Sequence, residues 1–129
     1  MPRQRMQMGS LATLLIVNPA AGGGRAARAL DRVLEALAPL RPFDVFVTQP
    51  GSERPAESAA RDAVLAGATR ILVLGGDGSS SQALNGIYAA GGADALARVS
   101  LGLLPAGTGR DYVRSAGIAR DPLAAARVL

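Results

Sequence analysis

Apolar positions along the chain follow two alternating patterns. Short continuous apolar runs are typical of buried strands, and apolar residues spaced three and four apart are typical of helices. The runs predict four strands, over residues 11–17, 43–47, 70–74 and 99–104. The helical spacing predicts helices over residues 25–37, 55–66 and 80–90, one further turn over 93–98, and helices over 111–116 and 122–129.

This alternation predicts an α/β fold: an open, mostly parallel, Rossmann-like sheet with helices on both faces. Such sheets bind ligands outside the carboxyl ends of their strands, where the strand-to-helix turns share one edge. The four turns predicted there read NPAAGGGR, TQPGS, GGDGSSS and PAGTGRD. Each contains glycine together with a hydroxyl, amide or carboxylate side chain, so the candidate chemistry of the chain lies at this edge.

The turn after the third strand carries the strongest chemical signal. Gly75 to Gly78 follow the strand directly, and three serines lead into a helix. A strand that passes through a glycine-rich turn into a helix presents bare backbone N–H groups to phosphate. The carboxylate of Asp77 would repel phosphate unless a metal, a proton or a reacting hydroxyl lay beside it, so the turn indicates phosphate chemistry. A hairpin turn fits poorly because no strand follows. We expect Ser79 or Ser80 to be the helix N-cap.

The two preceding turns give weaker signals. Three consecutive glycines, Gly22 to Gly24, allow positive φ angles and close approach to a ligand, and Asn18 can bond the loop or a ligand. A plain turn fits this loop almost as well. Ala27 stands where a G-x-G-x-x-G fingerprint needs its third glycine, which disfavours a dinucleotide oxidoreductase. Thr48 follows the second strand, where its hydroxyl can either reach a ribose or phosphate or begin a turn.

The turn after the fourth strand can either bind phosphate or simply lead into the next helix. Arg110 can pair with a phosphate, and Arg114 shares its helix face. Asp111 can either belong to the site or cap the short helix that follows.

Two weak helix formers, Asn85 and Gly86, lie inside the third predicted helix. We expect Gly86 to let this helix pack closely on the sheet.

Composition excludes several classes of site. The 129 residues are enough for one domain with a core, but they include no Cys and no His. Disulfides, thiolate nucleophiles, serine–histidine triads and metal sites with Cys or His ligands are therefore excluded. All 14 basic residues are Arg, so the lysine of a Walker-type loop is also missing.

The net charge of +4 has two readings. It fits a GC-rich genome that replaces Lys by Arg, and it fits attraction to phosphates or to an anionic membrane surface. Scattered Arg residues and an aromatic content of 3% disfavour nucleic-acid binding. No apolar stretch is long enough to span a bilayer, so we expect a cytoplasmic protein, with peripheral attachment to the inner membrane face left open.

Taken together, the turns resemble the diacylglycerol kinase catalytic-domain family, which includes bacterial diacylglycerol kinases, sphingosine kinases and ceramide kinases. NPAAGGGRA matches the family's N-P-x-x-G-x-G loop, and GGDGSSSQALNGI matches its G-G-D-G-T-x-x-E-V-x-N-G block. LGLLPAGTGRDYVRSAGI matches its L-G-x-x-P-x-G-T-x-N-D-F-A-R segment. NAD kinases share G-G-D-G, but the second and third matches favour lipid kinases.

The resemblance implies the fold of an NAD kinase-like or diacylglycerol kinase-like N-terminal domain and an ATP-dependent kinase that uses Mg²⁺ and phosphorylates a lipid hydroxyl. It implies catalytic roles for Asp77, near the γ-phosphate, and Asp111, in a supporting acidic network. We assign no metal ligand. The ATP contacts that it implies are Asn18, Thr48, Gly75, Gly76, Asp77, Gly78, Ser79, Ser80, Ser81 and Thr108.

Three departures of this chain from the family pattern matter for the site. Ser79 stands in place of Thr and keeps the hydroxyl group, whereas Gln82 in place of Glu removes a charge. Arg110 stands in place of Asn and adds a charge beside the expected phosphate site.

We expect residues 1–10 to be a disordered tail or a cloning remnant, and residues 11–129 to be the ATP-binding domain of the kinase. The resemblance implies a second, β-rich domain that holds a glutamate base and the acidic magnesium-site residues, and we expect that domain to lie outside these 129 residues. Alone, the chain should bind ATP weakly and transfer no phosphate. A non-catalytic nucleotide-binding module and an NAD kinase relative are the alternative functions, and a homodimer stays open.

Overall fold

Four parallel strands form one sheet in the described part of this protein. The computed structural model describes residues 13–105. The expectations for residues 1–12, the fourth turn and the last two helices lie outside this range. The strands are β1 (Thr13–Val17), β2 (Asp44–Val47), β3 (Arg70–Gly75) and β4 (Ser100–Pro105). Their order across the sheet is β2-β1-β3-β4.

The helices occupy the connections between successive strands. They are α1 (Ala21–Ala36), α2 (Pro55–Leu65) and α3 (Asp77–Arg98), and a short 3-10 turn covers Ala38–Leu40. The predicted α/β fold with a parallel sheet is therefore confirmed. No helix between residues 13 and 105 is long and apolar enough to cross a membrane.

The two faces of the sheet build two separate apolar clusters. Because successive side chains of a strand point to opposite faces, Leu15 and Val17 pack with α1, whereas Leu14 and Ile16 pack with α2 and α3. All five residues of β1 are buried, which explains why residues 14–17 are continuously apolar instead of alternating with polar residues. The prediction of helices on both faces is confirmed in the described part of the chain.

The starts of two helices show what the glycines do. Gly22, Gly23 and Gly24 have φ angles of +64°, +67° and +93°, so the regular part of α1 begins at Arg25, as predicted. The third helix begins at Asp77 and not at Ser80, so the glycine-rich turn is shorter than expected. In the same helix, Gly91 and Gly92 interrupt the helical geometry before the last turns, as the sequence indicates.

One glycine packs against a different element from the one expected. A Cβ built on Gly86 would lie 2.9 Å from Ala60 Cβ and 3.0 Å from the Arg61 nitrogen, and closest of all to the Glu57 carbonyl oxygen. All three neighbours belong to α2. The expectation that Gly86 packs on the sheet is therefore wrong, because α2 lies beside α3 on the same face and takes the place next to this glycine.

Candidate functional site

The strand order creates a crevice at the carboxyl edge of the sheet. From β1 the chain passes through α1 to β2 on one side, and from β3 it passes through α3 to β4 on the other. Because α1 and α3 cover opposite faces, the two connections diverge between β1 and β3. Such a switch point is where open α/β sheets bind their ligands. The residues that follow β1 and β3 are therefore the first candidates.

The connection from β3 to α3 is a single residue. β3 ends at Gly75, Gly76 is extended with φ −108° and ψ −167°, and Asp77 already belongs to α3. The Ser80 nitrogen donates the first bond of the helix to the Gly76 carbonyl oxygen over 3.1 Å. The N–H groups of residues 77–79 precede that bond and have no partner within the helix. Among residues 13–105, no acceptor is bonded to these three N–H groups.

No side chain in the described part of the chain caps this helix start. The Ser80 hydroxyl donates to the Gly76 carbonyl over 3.1 Å, so it bonds backwards along the chain and leaves the N–H groups of the first turn alone. The expectation that Ser79 or Ser80 is the N-cap is wrong, because Gly76 occupies that position. The N–H groups of the first turn can therefore donate hydrogen bonds to a ligand.

The first turn of α3 is divided into a packed side and an open side. Ser79 and Ser80 are 7% and 9% exposed and face the protein interior. Asp77, Gly78 and Ser81 are exposed, and a Cβ built on Gly78 would meet no atom within 4 Å. Neighbouring side chains therefore leave the Asp77 and Gly78 side of this turn accessible to a ligand.

Asn18 connects the end of β1 to this turn. Its backbone nitrogen donates to the Leu74 carbonyl over 3.0 Å, and its side-chain nitrogen lies 3.5 Å from Ser79 Oγ, a long hydrogen bond. A Cβ built on Gly75 would lie 3.2 Å from Ser79 Cβ and Oγ and 3.5 Å from Asn18 Cβ. The structure therefore brings Asn18, Gly75 and Ser79 together, and the absence of a side chain at Gly75 allows this contact.

Thr48 lies at the same edge but further along it. Its nitrogen donates to the Val17 carbonyl over 2.8 Å, which extends the pairing of β1 with β2 by one residue. The residue is 8% exposed. Neighbouring strands are about 4.8 Å apart, and β1 separates β2 from β3. Thr48, Asn18 and Gly75 therefore follow one another along the edge, with Asn18 in the middle.

Four of the residues that the sequence analysis names lie outside the described residues: Thr108, Arg110, Asp111 and Arg114. Within residues 13–105, no group of three or more Asp or Glu side chains comes together as a metal site. The Asp77 carboxylate is the acidic group of the β3–α3 turn.

In the sequence, Gln82 stands out only as a departure from the family pattern, but in the structure its side chain makes a hydrogen bond to another helix. Its Oε1 accepts a hydrogen bond from the Ala56 nitrogen at the start of α2, over 3.1 Å. A sequence signal for this contact exists, because Arg54 and Pro55 leave the start of α2 without a local acceptor. The position of the acceptor, 26 residues further along the chain, needs the tertiary structure.

Comparison with known proteins agrees with the motifs. The family model described as the diacylglycerol kinase catalytic domain matches residues 12–129. The chain is 33% identical over 127 residues to a diacylglycerol kinase of Mycobacterium tuberculosis, a match that covers 98% of this chain and 38% of that protein. It is 30% identical over 116 residues to Sphingoid long-chain bases kinase 1 of Arabidopsis thaliana, covering 88% of this chain and 15% of that protein.

The fold has a solved counterpart in the same group. The crystal structure of a diacylglycerol kinase from Bacillus anthracis superposes with a TM-score of 0.76 at 28% sequence identity. The superposition covers 92% of this chain and 42% of that one. The chain thus spans less than half the length of the relatives it matches.

Proposed function

The chain belongs to the diacylglycerol kinase catalytic-domain family, and we propose that it is the nucleotide-binding part of an ATP-dependent lipid kinase. One observation carries the proposal. The β3–α3 turn exposes a helix start whose N–H groups have no side-chain cap, and it holds the carboxylate of Asp77 in the same turn. Donors for phosphate and a carboxylate beside them are the groups that phosphoryl transfer requires.

In this proposal the N–H groups of residues 77–79 bind the phosphates of ATP. The partial positive charge at the start of α3 favours an anion there, and the open side at Gly78 gives the phosphates access. The contact between Asn18 and Ser79 keeps the end of β1 against this turn. A phosphate bound at the turn therefore lies within reach of residues from two strands.

The carboxylate of Asp77 faces the transferable phosphate in this proposal. Two negative groups repel one another, and Mg²⁺ between them would remove that cost. Mg²⁺ usually takes one or two protein carboxylates together with substrate phosphate oxygens, so the single exposed carboxylate of this turn fits the ion. Thr108 and Asp111 keep the roles that the family resemblance implies for them.

The rest of the nucleotide extends along the edge of the sheet. Asn18 and Thr48 follow the turn in that order, since β1 lies between β3 and β2. The nucleotide thus runs from Asp77 across Asn18 towards Thr48. This direction leaves the side of Asp77 away from β1 for the acceptor hydroxyl.

We propose a lipid hydroxyl as the acceptor, with peripheral contact between the protein and a membrane surface. The Mycobacterium tuberculosis relative is named a diacylglycerol kinase and the Arabidopsis thaliana relative a sphingoid long-chain bases kinase. The chain covers 38% and 15% of these two proteins, so the proposal places the transfer step in a longer form of the protein. The 129-residue chain alone is expected to bind ATP without transferring phosphate.

Titration calorimetry with MgATP tests the binding step. Two variants each add one carboxylate to α3: Gly78→Asp in the first turn and Asn85→Asp at an exposed position two turns further on. The repulsion of a carboxylate close to the phosphates should weaken binding by about tenfold for Gly78→Asp. Asn85→Asp should bind like the parent. Absent binding by the parent, or equal loss in both variants, would contradict the proposal.

A transfer assay tests the catalytic step. The longest expressed form of the protein is incubated with radiolabelled ATP and, in separate reactions, with diacylglycerol vesicles, sphingoid-base vesicles or NAD. Label is expected in a lipid and not in NAD. The Asp77→Asn variant should still bind MgATP but lose transfer by at least about a hundredfold, as removal of one charged group of a transition-state site commonly does. Label in NAD alone would favour an NAD kinase.

A further inference from the structure

The start of α2 lacks a cap of its own. Arg54 occupies the N-cap position, and its guanidinium contains donors only, so it has no oxygen to offer. Pro55, the first residue of the helix, has no N–H group. The N–H of Ala56 is therefore the first donor of this helix that requires an acceptor, and Ala56 is 1% exposed. The acceptor has to come from another element.

Gln82 of α3 supplies that acceptor. Its Oε1 receives the hydrogen bond from the Ala56 nitrogen over 3.1 Å, at a partly buried position. Gly86 lies on the same side of α3 one turn further on, against the Glu57 carbonyl oxygen and Ala60. Two successive contacts thus fix the first turns of α2 to α3.

These contacts also determine where the preceding loop ends. The β2–α2 loop, residues 48–54, starts at Thr48, whose nitrogen is bonded to the Val17 carbonyl over 2.8 Å. It ends at Arg54, which has φ +46° and ψ +53°, a left-handed conformation that is unfavourable for a residue with a Cβ. The exposed ion pair of Arg54 with Glu57, 2.9 Å long, contributes little to holding it. The partly buried bond to Gln82 is the stronger anchor for this end of the loop.

We propose that Gln82 is a positioning residue of the nucleotide site. By capping α2, it holds the β2–α2 loop, and Thr48 with it, in a fixed position relative to the first turn of α3. Ser79 precedes Gln82 by three residues on the same side of α3, so the phosphate turn and the loop anchor share one rigid helix. The inference rests on the proposed function, since it concerns how Thr48 meets the nucleotide.

This role explains why an amide can stand where the family pattern has a carboxylate. The Ala56 N–H requires an oxygen acceptor, and both Gln and Glu provide one at the same distance from the backbone. A charge at position 82 is not needed for this bond. Replacement of Glu by Gln at position 82 therefore keeps the acceptor that caps α2.

Two substitutions at position 82 separate the acceptor from the size of the side chain. Gln82→Met keeps the length and removes the oxygen, whereas Gln82→Glu retains an oxygen. Amide hydrogen exchange of Ala56 should become about tenfold faster in Gln82→Met, because its N–H loses its partner. The Kd for MgATP should rise about fivefold, since the loop with Thr48 is held less firmly. Gln82→Glu should restore both values to within about twofold of the parent.

Ile87→Val is the control for a general loss of stability. Ile87 is 1% exposed and lies in α3 beside Gly86, and the hydrogen bond to the Ala56 nitrogen comes from Gln82 and not from this residue. This variant should lower the Tm while leaving the Ala56 exchange rate and the Kd unchanged.

The outcomes distinguish a failure of the positioning role from a failure of the proposed function. Unchanged exchange in Gln82→Met, or faster exchange with an unchanged Kd, would overturn the inference and leave the proposed function standing. A parent chain that does not bind MgATP would overturn the proposed function, and the positioning role would fall with it, even if the exchange data reveal the cap.

Discussion

Two glycines of the same helix, Gly78 and Gly86, lie in opposite surroundings. A Cβ on Gly78 would meet nothing within 4 Å, whereas a Cβ on Gly86 would collide with the backbone and side chains of α2. Gly78 belongs to the exposed first turn and Gly86 to the face that packs on α2. Glycine therefore leaves the helix start accessible to a ligand at position 78 and allows close packing of two helices at position 86.

The difference divides α3 into two regions. The first turn, residues 77–81, makes few packing contacts on its outer side and leaves backbone donors for a ligand. The middle, residues 82–87, makes the contacts that hold α2 and the sheet in place. If this division is correct, substitutions in the middle should reduce stability, and those on the outer side of the first turn should reduce nucleotide binding with little effect on folding.

Gly86→Ala should have the largest effect on stability. The new methyl group would overlap backbone atoms of α2, which cannot turn aside as a side chain can, so the helices must separate. We expect a loss of about 3 kcal/mol in the free energy of unfolding, measured by urea denaturation. The matched control, Gly78→Ala, should stay within about 0.5 kcal/mol of the parent, since alanine favours a helix and the space is open. Equal stability of the two variants would contradict the division of α3.

Gly75→Ala should have an intermediate effect. Its methyl group would lie 3.2 Å from Ser79 and 3.5 Å from Asn18, whose side chains can yield by a few tenths of an ångström. A loss of about 1.5 kcal/mol is expected in the same unfolding experiment. MgATP binding should also weaken, because the phosphate turn and Asn18 move apart. A variant with parental stability and parental affinity would show that this contact is not required.

Ser80→Ala and Ser81→Ala should have the smallest effects, and they should differ. Ser80 is 9% exposed and its hydroxyl donates to the Gly76 carbonyl, so its removal should cost about 1 kcal/mol. Ser81 is exposed, and its replacement should change the unfolding free energy by less than about 0.5 kcal/mol. Thermal unfolding of both variants measures the difference. A larger loss for Ser81→Ala would reverse the assignment of packed and open sides.

The sequence predicts the elements of this fold well because burial dictates its pattern. Residues 14–17 of β1 and 71–74 of β3 are continuously apolar because helices cover both faces of the sheet. Gly22 to Gly24 indicate a turn that requires positive φ. The start of α3 is predicted three residues too late. Asp, Gly and Ser are weak helix formers, but the end of β3 and the extended Gly76 fix the helix start at Asp77.

The candidate site is predicted only as far as its parts are local. Gly75 to Ser81 follow one another in the chain, so the local sequence alone predicts the turn that they form. The partner of Gly86 and the acceptor for Ala56 are not local, because α2 and α3 are separate in sequence and come into direct contact only in the folded chain. The assignments of ATP contacts and catalytic roles stay predictions, and Thr108 and Asp111 lie beyond the described residues.

The central claim is that the first turn of α3 binds phosphate through its backbone N–H groups. The most direct test is the amide NMR spectrum of the 13.1 kDa chain during titration with MgATP. We predict that the amide signals of Asp77, Gly78 and Ser79 shift most, and that those of Asn85 and Gly86 stay in place. Saturable binding that shifts other amides and leaves residues 77–79 unchanged would contradict the account.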